Sequence, residues 1–456
     1  CYMIGFMFRD ILDRLKGDGM GALIARGAGG AFTVKVLGAA AMFTMHVLLA
    51  RVLGVAEYGI YVLALTWVTV LSLIANFGML QTMTRFVAEY RAREQWGLLR
   101  GVLRTGYGVT LAVGLVFALA GSATVRLLGD RLSATQAETF WLAFAWLPLF
   151  SLLTSFQGTL RGLNRIVPAL LPQLLLRPVL VVCLVSGVSL VWGGLTAVHA
   201  MAFTLAAALI SFGVGWNWAH RALPWQVKEH KAEFRRGYWL RVGGTLLLMT
   251  GMNNILRQTD VLMIGSLMGA MESGLYNSAA RLVELVTFGN VAVSTAVAHI
   301  ISGRYASGDR EAVRKIVVMA SRATFVFALA ACVVLFVFGR WVLSLFGPEF
   351  AVAYWPLAVL LAGQLALGLT GVANVALVMT GHERNAAQVI GLVMVVNIFL
   401  NAMLIPHAGL IGAALSTATS NVLWTALLFF VIRLRLGINS VAFARMPSVV
   451  PEGQKG

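Results

Sequence analysis

Arg257 and Asp260 lie three residues apart inside one long apolar run, and Arg281 and Glu284 lie three apart inside the next. Lys35 and Arg177 fall inside two further runs with no acid nearby in sequence. A charge in hydrocarbon costs at least about 2.5 kcal/mol even on the lenient insertion scale, so each of these residues needs a reason to be there. A spacing of three places both members of a pair on one helix face. Two readings follow. In one, the pairs are neutral ion pairs that lock neighbouring helices. In the other they line a water-filled path, where Asp260 or Glu284 takes a proton or a sodium ion. Arg177, Arg257 and Arg281 stay charged and donate in a planar fork that suits a diphosphate or an acidic sugar, although Arg177 could equally bond to carbonyls of neighbouring helices. Lys35 either joins them or snorkels to the interface. The six intramembrane ions sum to +2, which favours an anion. An anion leaving a negative interior would gain about 2.3 kcal/mol per charge per 100 mV.

The elements that must position these charges are spanning helices. Hydrophobic residues make up 59% of the 456 residues and charged residues 12%, and most apolar runs can cross about 30 Å of hydrocarbon. Hydropathy, with Gly, Pro and charge as punctuation, predicts spans near 31–50, 59–79, 102–121, 138–157, 167–190, 195–218, 242–267, 274–300, 316–338, 351–379, 386–405 and 409–432. The expected fold is an all-α polytopic membrane protein of about twelve helices. The formal charge of +17 would suggest nucleic acid in a soluble protein. Here the basic residues lie in the gaps instead, and with those at span ends counted in the adjoining loop, 27 fall on one face and 4 on the other. This predicts that both termini face the cytoplasm and that no nucleic acid is bound. The expected layout is a cytoplasmic amphipathic segment over 1–30, a six-helix bundle over 31–218, a basic cytoplasmic linker over 219–241, a second bundle over 242–436 and a cytoplasmic tail over 437–456. Ile4, Phe8, Ile11, Leu12 and Leu15 pattern the first segment as an interfacial helix.

The two bundles read as a duplication. The motif Gly-x-x-Glu-x-Gly-x-Tyr occurs at Gly54, Glu57, Gly59 and Tyr61, and again 215 positions later at Gly269, Glu272, Gly274 and Tyr276. Each copy sits between two apolar runs, and Gly194-Leu195 and Gly409-Leu410 repeat at the same offset. Six spans per half is an even number, so the repeats should run parallel around a central cavity. The motif reads as a helix end followed by an acid in the first turn of the next helix, where it complements the dipole, with gating as the alternative.

Other residue types carry less. His46, His199 and His299 are isolated within spans and suit interhelical hydrogen bonds better than a proton relay, and none forms a metal spacing. Trp141, Trp192, Trp216, Trp218, Trp239 and Trp341 lie near span ends and read as interfacial anchors. Cys183 and Cys332 fall inside spans, where packing is the expected role. An enzyme would want a sizeable outer loop with acids or histidine. The outer loops are short, and there is no Asp-x-Asp, P-loop or His-Glu-x-x-His, so no catalytic residues or cofactor are expected.

Several stretches resemble the polysaccharide transporter family, the Wzx-type flippases of the multidrug/oligosaccharidyl-lipid/polysaccharide exporter superfamily. They are Leu49 through Gly54 with Tyr58 through Tyr61, then Gln258 through Gly265 with Gly274 through Tyr276, and Asn401 through Ala414. The resemblance covers most of residues 28–436. It implies an alternating-access carrier in the inner membrane that moves a polyprenyl-diphosphate-linked oligosaccharide to the outer leaflet for O-antigen lipopolysaccharide or exopolysaccharide synthesis. Membrane lipids and the polymerase machinery would be its partners, and a proton or sodium gradient its coupling. The alternatives are a peptidoglycan-precursor flippase, which usually has fourteen helices, and a multidrug cation antiporter, which would need acids where the first span offers Lys35.

Overall fold

The computed structural model describes residues 20–191 and 193–443, with the side chains of 20–28, 130, 249 and 250 left aside. The interfacial helix expected over 1–30 therefore lies largely outside the described residues, as do Trp192 and the tail beyond residue 443. The described chain is helical throughout, with no strand. In order, its helices are α1 (Met20–Asn76), α2 (Met79–Ala92), α3 (Trp96–Leu127), α4 (Ala134–Gly162), α5 (Ile166–Leu171), a π-helical turn (Pro172–Leu176), α6 (Arg177–Ser189), α7 (Ala197–Ala222) and α8 (Gln226–Glu229). There follow α9 (Arg236–Leu267), α10 (Ala270–Ala306), α11 (Arg310–Ser344), α12 (Tyr354–Thr370), α13 (Ala373–Met379) and α14 (Glu383–Leu436).

Nine helical stretches among the described residues are long and apolar enough to cross a membrane. Two of them contain a glycine with non-helical backbone, at Gly54 in α1 and Gly409 in α14. When each is counted as two and the 32-residue α9 is added, the twelve expected spans are all present. The repeated motif is where this matters most. Gly54 adopts φ 74°, ψ 174°, and its counterpart Gly269 adopts φ 133°, ψ 174°. Both lie where an L side chain is strained, so glycine lets the chain turn abruptly between two spans.

The acid of the first copy does more than face its own helix dipole. Glu57 Oε2 accepts a hydrogen bond from Ala197 N at 2.7 Å, so it caps the start of α7, 140 residues away in sequence. Glu272 lies in the first turn of α10, as the dipole argument expects.

The chain divides into two compact units, residues 1–251 and 252–456. The basic connector after α7 belongs to the first and is firmly held there. Glu233 N donates to Gly97 O at 3.0 Å, and Arg100 Nη1 donates to Lys228 O and His230 O at 2.9 and 2.7 Å. Trp239 corrects the anchor assignment. It is 0% exposed, and its Nε1 donates to Tyr90 Oη at 3.0 Å. The first turn of α9 folds onto α2 and α3, so a residue near a predicted span end becomes core. Trp141, Trp216 and Trp341 are exposed, and Trp218 is half-buried.

In the second unit the residues after α14 turn back onto the helices. Ala442 N donates to Leu369 O at 2.9 Å, and Arg322 Nε donates to Ala442 O at 2.8 Å. The histidines behave modestly. His46 Nδ1 meets Tyr58 Oη at 3.0 Å across the Gly54 break, His199 closes a capping box with Thr196, and His299 is exposed. Cys332 is buried, whereas Cys183 is exposed.

The connector's seat is tight enough to test. A Cβ at Gly101 would stand 1.7 Å from Glu233 O. Gly101→Ala should cost about 1–3 kcal/mol and lower the unfolding midpoint in detergent, with protease cleavage appearing within 223–235. An unchanged midpoint and no cleavage would show that the connector does not depend on this contact.

Candidate functional site

In the second unit the acid on α9 is the centre of a polar cluster. Asp260 is 6% exposed. Its Oδ2 accepts from Tyr276 Oη at 2.7 Å and from Thr417 Oγ1 at 2.5 Å, and its Oδ1 accepts from Asn401 Nδ2 at 2.8 Å. Asn401 Nδ2 also donates to Asn397 Oδ1 at 3.0 Å, and Asn397 Nδ2 lies 3.5 Å from Thr417 Oγ1. Four segments thus converge on one carboxylate: α9, α10, and α14 on both sides of the Gly409 break.

Local sequence explains the convergence. Asn397 and Asn401 are one helical turn apart and so share a face of α14. The Gly409 break lets the chain double back, so that Thr417 returns to the level of Asp260. Tyr276 arrives because the Gly269 break reverses the chain between α9 and α10. The last residue of the repeated motif is therefore a donor to the buried acid.

One atom of the cluster stands out. Asn401 Oδ1 is buried and accepts no hydrogen bond from any described residue. A buried acceptor left unmet costs about 1–3 kcal/mol, and here it belongs to the side chain that already touches the carboxylate. Asp260 with the oxygens of Asn397, Asn401 and Thr417 forms an oxygen-rich set of the kind that holds a proton or a small hard cation. Among the described residues there is no group of three His, Cys, Asp or Glu that would hold a transition metal.

The other predicted residues fall differently. The same-face pairing of Arg257 with Asp260 is not formed: Arg257 is exposed, whereas Asp260 turns to Tyr276, Asn401 and Thr417. Neutral donors on α10 and α14 meet the acid, and the guanidinium stays outside. Arg281 and Glu284 do pair, Nη1 to Oε2 at 3.0 Å, with side chains 22% and 50% exposed. Lys35 is exposed. Arg177 is 4% exposed, with its guanidinium 5.2 Å from the Trp146 ring centre, 5.8 Å from that of Phe150 and near Met42 Sδ. These contacts place it in the packing of the first unit, among aromatic faces, rather than in an open lumen. Gly59 and Gly274 are buried within their helices.

Asn397 and Thr417 were not singled out from sequence, and Asn401 only marked a helix junction. The available signal was two amides one turn apart in an apolar run, which says that a partner exists without saying which.

Among the described residues the first unit has no acid in such a cluster. Met45, 215 positions before Asp260, is 1% exposed, and Tyr61 Oη, the counterpart of Tyr276, meets Thr204 Oγ1 at 3.1 Å.

The helical architecture is that of a multi-pass membrane protein. Among solved structures the chain is similar to an inward-facing multidrug resistance MATE family transporter of the MOP superfamily, at TM-score 0.75 and 16% identity over 87% of this chain and 94% of that one. It is also similar to the lipid II flippase MurJ in an inward closed conformation, at 0.67 and 15% over 89% and 87%. A MOP superfamily transporter from Pyrococcus furiosus matches at 0.61 and 16% over 93% and 97%. These likenesses establish the fold, a multi-pass helical one that those transporters share. The profile described as polysaccharide biosynthesis protein matches residues 24–301, and the MatE profile matches 246–403. The chain belongs to the polysaccharide biosynthesis protein family. No curated protein matches it in sequence.

The two tyrosines of the repeat provide a comparison. Tyr276→Phe leaves a buried carboxylate short of a donor and should cost about 1–3 kcal/mol. In Tyr61→Phe, Thr204 keeps its bond to Ala200 O, so the loss should be about 0.5–1.5 kcal/mol. Unfolding midpoints in detergent compare them, and equal or reversed losses would contradict the assigned geometry.

Proposed function

We propose that the protein is a Wzx-type flippase that carries a polyprenyl-diphosphate-linked oligosaccharide from the cytoplasmic to the outer leaflet of the inner membrane. The observation that carries this reading is membership of a polysaccharide-biosynthesis family on a transporter fold. A lipid-linked sugar made inside must cross before it is polymerised outside, and the polymerase machinery would receive it. The excess of basic residues in the loops on one side supports cytoplasmic termini.

Lys35 and Arg257 are exposed, and Arg281 is held by Glu284 with part of its surface open. These three are the groups that would attract the diphosphate or acidic sugars. Asp260 is the proposed coupling site, because it is buried and ringed by oxygens, one of them unmet. A proton or sodium ion entering there would neutralise the acid and weaken or rearrange the hydrogen bonds by which it now joins α9 to α10 and α14.

Vesicles containing the purified chain and a fluorescent lipid-linked oligosaccharide test both parts. The wild type should move the lipid, with Lys35→Ala and Arg257→Ala slowing it about tenfold or more, as expected for the loss of a charge-assisted contact. Undiminished rates in both variants would remove the cationic assignment. Asp260→Asn should abolish acceleration by an imposed proton or sodium gradient, and the gradient that accelerates the wild type identifies the ion. Movement of a cationic drug and not of the lipid would favour the multidrug reading, and movement of the peptidoglycan lipid precursor alone would favour the other flippase.

A further inference from the structure

The first unit contains a polar relay outside the sites already described. It runs along the last two turns of α4 and into the π-helical turn that precedes α6. Arg161 Nη2 donates to Gln157 Oε1 at 3.4 Å, one helical turn back. Gln157 Nε2 in turn donates to Gln173 Oε1. Gln157 is buried, and Arg161 and Gln173 are half-buried.

The direction of the relay follows from its chemistry. A guanidinium can only donate, so the Gln157 oxygen must face Arg161 and its amide nitrogen must face the Gln173 oxygen. That leaves the Gln173 amide N–H groups at the end of the chain, and no described residue accepts from them. Arg161 is likewise without an ion-pair partner among the described residues. A relay sealed within the core would leave its end donors buried and unmet, and neither Gln173 nor Arg161 has such an atom. This one offers donors at both ends, backed by one full positive charge.

Backbone geometry keeps the end donor from being absorbed. Gln173 sits in the π-helical turn Pro172–Leu176, whose wider winding takes side chains out of the regular helical register. On α4, Thr159 and Ser155 point to Tyr107 and Thr110 of α3, whereas Gln157 and Arg161 are on another face. Arg161 is one residue from the end of α4, in the loop after the fourth expected span, which by alternation shares the face of the termini.

We infer that Arg161, Gln157 and Gln173 form an anion-binding subsite that takes the diphosphate of the lipid carrier as it enters from the cytoplasm. The inference rests on the flippase reading and adds to it a place where the substrate is first held. A diphosphate supplies several acceptor oxygens and negative charge, which match the free amide hydrogens and the unpaired guanidinium.

The test uses the full chain in nanodiscs and isothermal calorimetry, with a short-chain prenyl diphosphate, inorganic diphosphate and the corresponding prenyl alcohol as probes. The wild type should bind the prenyl diphosphate and, more weakly, inorganic diphosphate. Gln173→Glu keeps the acceptor for Gln157 but replaces the end donor with an anion, and should weaken both by about tenfold or more, as for loss of a hydrogen bond to a charged group. Arg161→Gln should do the same and Arg161→Lys less, because the charge remains. Binding of the alcohol and the unfolding midpoint should stay as in the wild type. Wild-type affinity for both diphosphates in Gln173→Glu and Arg161→Gln would overturn the subsite and leave the flippase reading standing. Failure of the wild type itself to bind the prenyl diphosphate would overturn both.

Discussion

Hydrocarbon offers no hydrogen-bond partner, so every polar group carried into the membrane must be met by another part of the chain. Asp260 is the most demanding such group here, and three side chains from two other helices turn toward it. The requirement explains the glycine breaks as well. A chain that turns at Gly54, Gly269 or Gly409 exposes backbone ends, yet the same turns bring Tyr58 to His46, Tyr276 to Asp260 and Thr417 to Asp260. Glu57 meets the first amide of α7 under the same constraint.

The two units satisfy it in different ways. The first joins several of its helices through neutral pairs: Asn76 Nδ2 to Thr154 Oγ1 at 2.8 Å, Thr110 with Ser155 at 3.0 Å, Tyr107 with Thr159 at 2.6 Å. Such pairs hold helices together without calling for a ligand. The second unit gathers its donors around one acid and leaves an acceptor over. The first unit's half-buried acid, Glu57, is taken up by a helix start, whereas Asp260 is met by side chains alone. Met45 at the position equivalent to Asp260 is the clearest sign of that divergence.

Much of the fold was legible because its cause is local. Apolar run length and the repeated glycines located the spans, and the first glycine of each motif copy does break the helix where the repeat placed it. The site was legible in part. Asp260 could be chosen because a carboxylate in an apolar run is rare, and Arg281 meets Glu284 because partners within one helix turn need only helical geometry. The same rule failed for Arg257, since three residues of spacing permit a pair but do not oblige it when better donors approach from elsewhere. Trp239 misled for a related reason: nearness to a span end resembles nearness to an interface until the neighbouring helices are in place.

Composition, run length and the glycine motifs were enough to anticipate about twelve spanning helices, because helix formation in lipid depends on consecutive residues. Which donors answer Asp260, why Arg177 lies against Trp146 and Phe150, and how Gln173 comes to end a relay from Arg161 depended on packing. Those contacts join residues from 4 to 157 positions apart. Hydropathy carries no record of which helices become neighbours, and the partner of a buried polar group is set by that neighbourhood.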